Sequence, residues 1–304
     1  MTPKGSRAQS IRPWKVLKPG GWDKFLEAVE SARKSLGVEP PEECFFRGHA
    51  DRGWGLQPTL FRHARSAELS DRDTVDLESD LFWEFQARAQ ELHSQRLSDW
   101  DYLFFMRHHG VITRLLDWTE TLGVAVYFAL ERHRAGTADA VPCIWLLNTY
   151  ALNEHPAAWE VRDLVSPGYL GYIEKDDETY DYGVLVDQNW FHWEMPVAIY
   201  PIQRSNRVRA QRGWFTVHGT DQRPLEIQAP ANVARVLLPP GAIADAERFL
   251  DQAGLNEYTL FADLDASRAN CTARTESQPG KVRLADRRRL APQAIPVPIC
   301  GFSR

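Results

Sequence analysis

The feature that most constrains this chain is a dense polar run set against an apolar one. Arg107-His108-His109-Gly110-Val111-Ile112-Thr113-Arg114-Leu115-Leu116-Asp117-Trp118-Thr119 stands at the mouth of Val124-Ala125-Val126-Tyr127-Phe128-Ala129. The second stretch reads as buried, and guanidinium and carboxylate groups beside it are costly to bury unless each finds a partner. Either these groups satisfy one another or a ligand does so.

The whole chain of 304 residues is 43% hydrophobic and 25% charged, enough for one large domain or one plus an appendage. Its formal net charge of -5 gives no whole-molecule field toward nucleic acid, which leaves only a local basic patch for that role. Cys44, Cys143, Cys271 and Cys300 lie too far apart for the short ligand spacing of a zinc site, so no metal is expected and reduced thiols fit best. No apolar run is long enough for a membrane span, and Met1-Thr2-Pro3-Lys4-Gly5-Ser6-Arg7 lacks the apolar core of a signal peptide. These features lead to the expectation of a cytoplasmic protein with no membrane partner.

Hydrophobic periodicity predicts helices from Trp22, over Thr74 to Leu97, from Asp99 with Asp99 as cap, over about Thr121 to Arg134, and near Ile243 to Ala253. Strands are expected at Cys44 to Gly48, delivering Arg47 to the strand end with a sharp turn at Gly48, and at Val141 to Leu147, Pro196 to Tyr200, Gly213 to His218 and Val233 to Leu238. The acidic cluster Glu174, Asp176, Asp177 and Glu178 reads as a solvated loop, and the Arg-rich stretch from Ser267 to Leu290 as a mobile tail. Separated strands among helices argue an α+β fold. Three regions follow: a helical extension over 1–40, a central domain over 41–266, and the tail over 267–304.

Three segments resemble the FRG-domain family: Phe45-Phe46-Arg47-Gly48, His109 through Thr119, and Asn206 through Gly219. Leu260-Phe261-Ala262-Asp263-Leu264-Asp265 is similar to that family's closing segment. The chain departs from the usual pattern at Ile112, where a Pro is common, and at His49, where a Gln is common. The order of the pieces also resembles ADP-ribosyltransferases of the Arg-Ser-Glu type, which implies a split, mixed β-sheet core with helical insertions and NAD as substrate. In that likeness Arg47 would hold the phosphates by charge-assisted hydrogen bonds. Gly48, Thr113, Arg114, Trp118 and Thr119 would line the same cleft. Arg209 to Phe215, read as the third strand, offers Gln211 where a Glu is expected. An amide cannot stabilise a cationic ribose by charge, so Glu194, Glu226 or Asp117 would replace it, with His109 as a candidate base.

Each of these residues also has an architectural reading. Arg47 would pair with Asp117 or Asp51, Arg114 with Asp117, and Thr113 and Thr119 would serve as turn or cap residues. Gln211 would tie strands together, His108 would cap helix carbonyls, His218 would sit at a core edge, and Trp54, Trp83, Trp190 and Trp193 would be core. The resemblance implies transfer of ADP-ribose to a nucleic acid or protein acceptor, in bacterial toxin or antiphage-defence settings with an antitoxin or chaperone as partner. The Arg-rich tail would help to hold an anionic acceptor. The alternative is a non-catalytic module that recognises a nucleotide or peptide in the same cleft.

Overall fold

The structure is a computed structural model and describes residues 14–38, 44–63, 69–92, 97–136, 140–155, 182–187, 193–199 and 206–261. The acidic cluster at 174–178 and the Arg-rich tail lie outside the described residues. In chain order the strands are β1 (Lys15–Leu17), β2 (Cys44–His49), β3 (Leu115–Thr119), β4 (Cys143–Asn148), β5 (Val197–Ile199), β6 (Gly213–Val217) and β7 (Val233–Leu237). The helices that position the site are α1 (Trp22–Ser35), α2 (Thr59–Arg62), α3 (Asp71–Leu92), α4 (Asp99–His108), α5 (Leu122–Ala129), α6 (Glu131–Arg134), α7 (Thr149–Asn153), α8 (Tyr182–Asp187), α9 (Asn206–Gln211), α10 (Leu225–Gln228), α11 (Ile243–Gln252) and α12 (Glu257–Phe261).

The strands form one mixed seven-stranded sheet in the order β1-β7-β4-β2-β3-β6-β5, so the chain is α+β as its pattern predicts. Among the described strand pairs only β1 and β7 run parallel. Two sets of helices cover one face. Phe25 and Val29 of α1, Ala125, Val126 and Ala129 of α5, and Ala246 and Leu250 of α11 bury Phe46, Ile144, Leu146, Ala234 and Val236. Phe82 of α3, Leu103 and Met106 of α4, and Leu185 of α8 bury Leu115, Phe215, Val217, Val197 and Ile199. The other face packs Phe45, Trp118, Trp145, Leu147 and Trp214 against Leu56, Leu152 and Leu225.

The joint between the halves is weak by design of the ladder. Six register pairs join β2 to β4 and five join β3 to β6, whereas β2 and β3 meet only at Phe46 and Thr119. Beyond that pair the two strands diverge, and backbone groups that a ladder would satisfy must find other partners.

Several local expectations change. β1, too short to show in the pattern, pairs with β7, and α1 buries its apolar face on the sheet, so residues 14–38 pack on the main body. The N-cap of α4 is Ser98, not Asp99: the Ser98 side chain accepts from Asp101 N and Asp101 reaches back to Ser98 N, a capping box. Asp99 instead accepts from Gln86 Nε2 and Gly183 N. The helix expected to run to Arg134 breaks at Leu130 into α5 and α6. Gln211 ends helix α9, and the strand expected from Arg209 begins only at Gly213. Arg212 makes that reversal with a left-handed φ of 44°, held by the Thr119 Oγ1 bond to Gln211 O at 2.7 Å.

Gly48 is needed for a different reason from the expected turn. It lies inside β2, where a Cβ would fall 1.8 Å from Ala125 O and 2.7 Å from Ala129 N. The bare backbone lets α5 sit directly on the strand.

Candidate functional site: a basic cleft at the open strand pair

A cleft of about 630 Å³ opens where β2 and β3 part, lined by residues of both sheet faces, the C-terminus of α4, the 50–57 loop and helix α9. At its floor Arg47 fills the place a ladder partner would take. Its Nη1 donates to Asp117 O at 2.5 Å and lies 3.5 Å from Asp117 Oδ2, while Nε donates to His49 Nε2 at 2.9 Å. The His49 ring therefore accepts and is neutral. Its burial and the adjacent Arg47 charge push its pKa well below the usual value.

Asp117 receives a second guanidinium from α4. Arg107 Nε lies 3.0 and 2.9 Å from the two carboxylate oxygens, its Nη2 also donates to Oδ2, and its Nη1 donates to Thr59 Oγ1 at 2.8 Å. Burial disfavours the Asp117 charge, but Arg107 and then Arg47 outweigh it and hold the carboxyl down at about 2. Burial, partly offset by Asp117, lowers Arg47 to about 10. Arg62 of α2, also lowered by burial and by the Arg107 charge, has no ion-pair partner among the described residues.

Among the described residues the cleft is lined by four arginines, Arg47, Arg62, Arg107 and Arg207, against two carboxylates, Asp117 and Glu131, although the whole chain is acidic. Such an excess of fixed guanidinium is suited to an anionic group, above all phosphate. Among the described residues no cluster of three or more His, Cys, Asp or Glu is placed to hold a metal, and no helix is long and apolar enough to cross a membrane.

Arg47, Gly48, His109, Asp117, Trp118, Thr119 and Gln211 all border this cleft. Trp118 does so from a core position: it is 3% exposed and its indole N–H donates to Thr216 Oγ1 at 3.2 Å. Thr119 Oγ1 also accepts from Thr121 N at 3.1 Å, in the cap-like role its position allows. Gln211 Nε2 is buried with no hydrogen-bond partner among the described residues, so the amide does not tie strands together.

Thr113 and Arg114 lie elsewhere. Thr113 is fully buried, with its carbonyl accepting from Leu60 N at 3.2 Å. Arg114 does not pair with Asp117 and does not line the cleft. It is 1% exposed, its Nε bonded to both Glu78 oxygens at 2.9 Å and its Nη1 to His218 O and Gly219 O at 2.9 and 3.3 Å. His218 is fully buried rather than a core-edge residue.

Neither alternative carboxylate reaches the cleft: Glu226 is buried and accepts from Leu56 N at 2.9 Å, and Glu194 is exposed away from it. Sequence reasoning assigned no role to Arg62, Glu131 and Arg207, read Trp54 as core, and named Arg107 only as the start of the polar run. The signal available for Arg107 was its place at the start of the polar run, at the end of a helix that the pattern had located.

Residues 42–138 match the family model of the FRG domain. No curated protein and no solved structure matches the chain.

Proposed function

From an FRG domain over residues 42–138 whose open strand pair holds a basic cleft, we propose that the protein binds an NAD-type dinucleotide and acts as an ADP-ribosyltransferase-like enzyme on a protein or nucleic-acid acceptor. The observation that carries this reading is the charge imbalance at the cleft floor. Arg47 and Arg107 share the single Asp117 carboxylate, and Arg62 stands beside them unpaired among the described residues. A pyrophosphate supplies the missing negative charge and accepts bidentate hydrogen bonds from guanidinium groups.

In the reaction the bond from ribose C1′ to the nicotinamide nitrogen breaks and nicotinamide leaves with the electron pair. An acceptor oxygen or nitrogen then bonds to C1′ and gives up its proton. Positive charge develops on the ribose, and a carboxylate facing it lowers the barrier. Asp117 is already neutralised by two guanidinium groups, which makes it a weak candidate for that task. Glu131, at the first turn of α6, is the other carboxylate at the cleft among the described residues, where it forms no ion pair. Gln211 would then position a hydroxyl.

Isothermal titration of NAD, run beside a chromatographic assay for released nicotinamide, tests the proposal. Arg62→Gln removes a cation with no ion-pair partner among the described residues, so NAD affinity is expected to fall about tenfold or more with unchanged stability. No binding of NAD by the wild-type protein at millimolar concentration would sink the proposal. One observation favours a second reading, a non-catalytic nucleotide module: the residue expected to be Glu is Gln211, and Asp117 is held in ion pairs. Saturable binding without nicotinamide release under any acceptor would establish that reading instead.

A further inference from the structure

Trp54 is 42% exposed, an unusual position for an indole in a loop this firmly held. The loop is fixed along its length: Arg52 N donates to Val141 O at 2.8 Å, Gly53 N to Asp51 Oδ1 at 2.7 Å, Leu56 N to Glu226 Oε2 at 2.9 Å and Gln57 Nε2 to Gln222 O at 2.7 Å. Arg132 lies over the indole, 5.6 Å from its centroid, and is itself 3.8 Å from Asp51. The fold therefore immobilises an aromatic surface at the cleft wall and leaves it wet. Arg132 and the His49 ring hold the indole in place, and 42% of the residue still stays exposed beside the cleft.

Trp54 also stands at a telling distance from the arginines. Its ring centroid is 6.0 Å from that of His49, edge to face, and His49 accepts from Arg47. One ring thus separates the indole from the guanidinium at the floor, much as one ribose separates a base from its phosphate. We infer that Trp54 is a stacking shelf for the base of a nucleoside phosphate whose phosphates lie on Arg47, Arg62 and Arg107, which rests on the nucleotide reading above. Stacking on an aromatic face tolerates any base, so the shelf supplies affinity while the arginines supply register.

The test compares a ligand that has a base with one that does not. Trp54→Ala is expected to weaken ADP-ribose binding roughly tenfold or more while leaving inorganic pyrophosphate binding within about twofold, and Trp54→Phe is expected to retain most of the ADP-ribose affinity. Arg62→Gln is expected to weaken both ligands. ADP-ribose affinity unchanged in Trp54→Ala, or lost equally with pyrophosphate, would overturn the shelf while leaving the cleft's nucleotide reading intact. Wild-type protein that binds neither ligand would remove both.

Discussion

Arg114 and Asp117 stand three residues apart in one polar run, and the fold sends their charges to different places. Asp117 faces the cleft with its side chain 40% exposed, shared by Arg47 and Arg107. Arg114 turns inward and staples four segments together. Its guanidinium holds Glu78 of α3, the Tyr182 hydroxyl of α8 donates to the same carboxylate, and the carbonyls of His218 and Gly219 complete the set. Burial works against the Arg114 charge, yet Glu78 and Tyr182 raise its pKa above the ordinary value. Because each charge is buried and dependent on the other, Arg114→Ala leaves Glu78 desolvated without its counter-ion. The loss is expected to be about 3–5 kcal/mol in urea denaturation. Arg114→Lys cannot reproduce the fork that reaches both the carboxylate and the carbonyls, and is expected to recover less than half of that loss. A loss under about 1 kcal/mol for the alanine variant would show that the network is not a structural staple.

At the scale of elements, the site depends on how closely α5 approaches β2. Gly48 permits the approach, and Gly48→Ala would drive a methyl group into the Ala125 carbonyl and the Ala129 amide, neither of which is a flexible side-chain end. Overpacking against backbone is expected to cost about 3 kcal/mol, at the upper end for such changes, read from the denaturation midpoint. The elements themselves were largely legible. Alternation and apolar runs located β2 and β4 to β7, and 3.6-residue spacing located α1, α3, α4 and α11, because those signals come from burying one face against a single core. β1 escaped because it has three residues, too few for periodicity to register. Gln211 was misplaced because the β6 signal was extended backward across a reversal. Its pivot is Arg212, a residue type that gives no hint of a positive φ. The single-pair joint between β2 and β3 lies beyond any one-dimensional pattern, since strand divergence is set by which strands neighbour each other.

At the scale of the whole molecule, the site assembles residues that the chain separates widely: Arg47 and Trp54 near the start, Arg107 and Asp117 in the polar run, Gln211 far beyond. Sequence motifs could nominate Arg47 and Asp117, because burying a charge in an apolar context is conspicuous. Arg62 and Trp54 could not be separated from ordinary surface or core residues of the same type. The same assembly makes the protein's stability sensitive to acid. His49 and His218 are 4% and 0% exposed, and burial followed by the charge of a neighbouring arginine lowers both, His218 to about 3. His218 lies 3.3 Å from Thr216 Oγ1 with the Arg114 charge close by, so among the described residues a proton on its ring finds no compensating anion in contact. In the unfolded chain a histidine protonates near its ordinary value of about 6.5. Between that value and the folded one the unfolded state carries the extra proton, so stability is complete above about pH 6.5 and falls as pH drops. Each histidine contributes a slope of about 1.4 kcal/mol per pH unit in that window. Asp117 acts in the same direction lower down, since its folded value of about 2 lies below the ordinary carboxylate range, and its ion pairs are lost as pH falls through that value. Urea midpoints taken from pH 8 to pH 4 are therefore expected to stay level down to about pH 6.5 and then decline steeply. His218→Gln, neutral at every pH, is expected to reduce the slope by about half if it folds, His49 supplying the remainder. A level stability profile down to pH 4.5 in the wild-type protein would mean that neither imidazole is held neutral in the folded core.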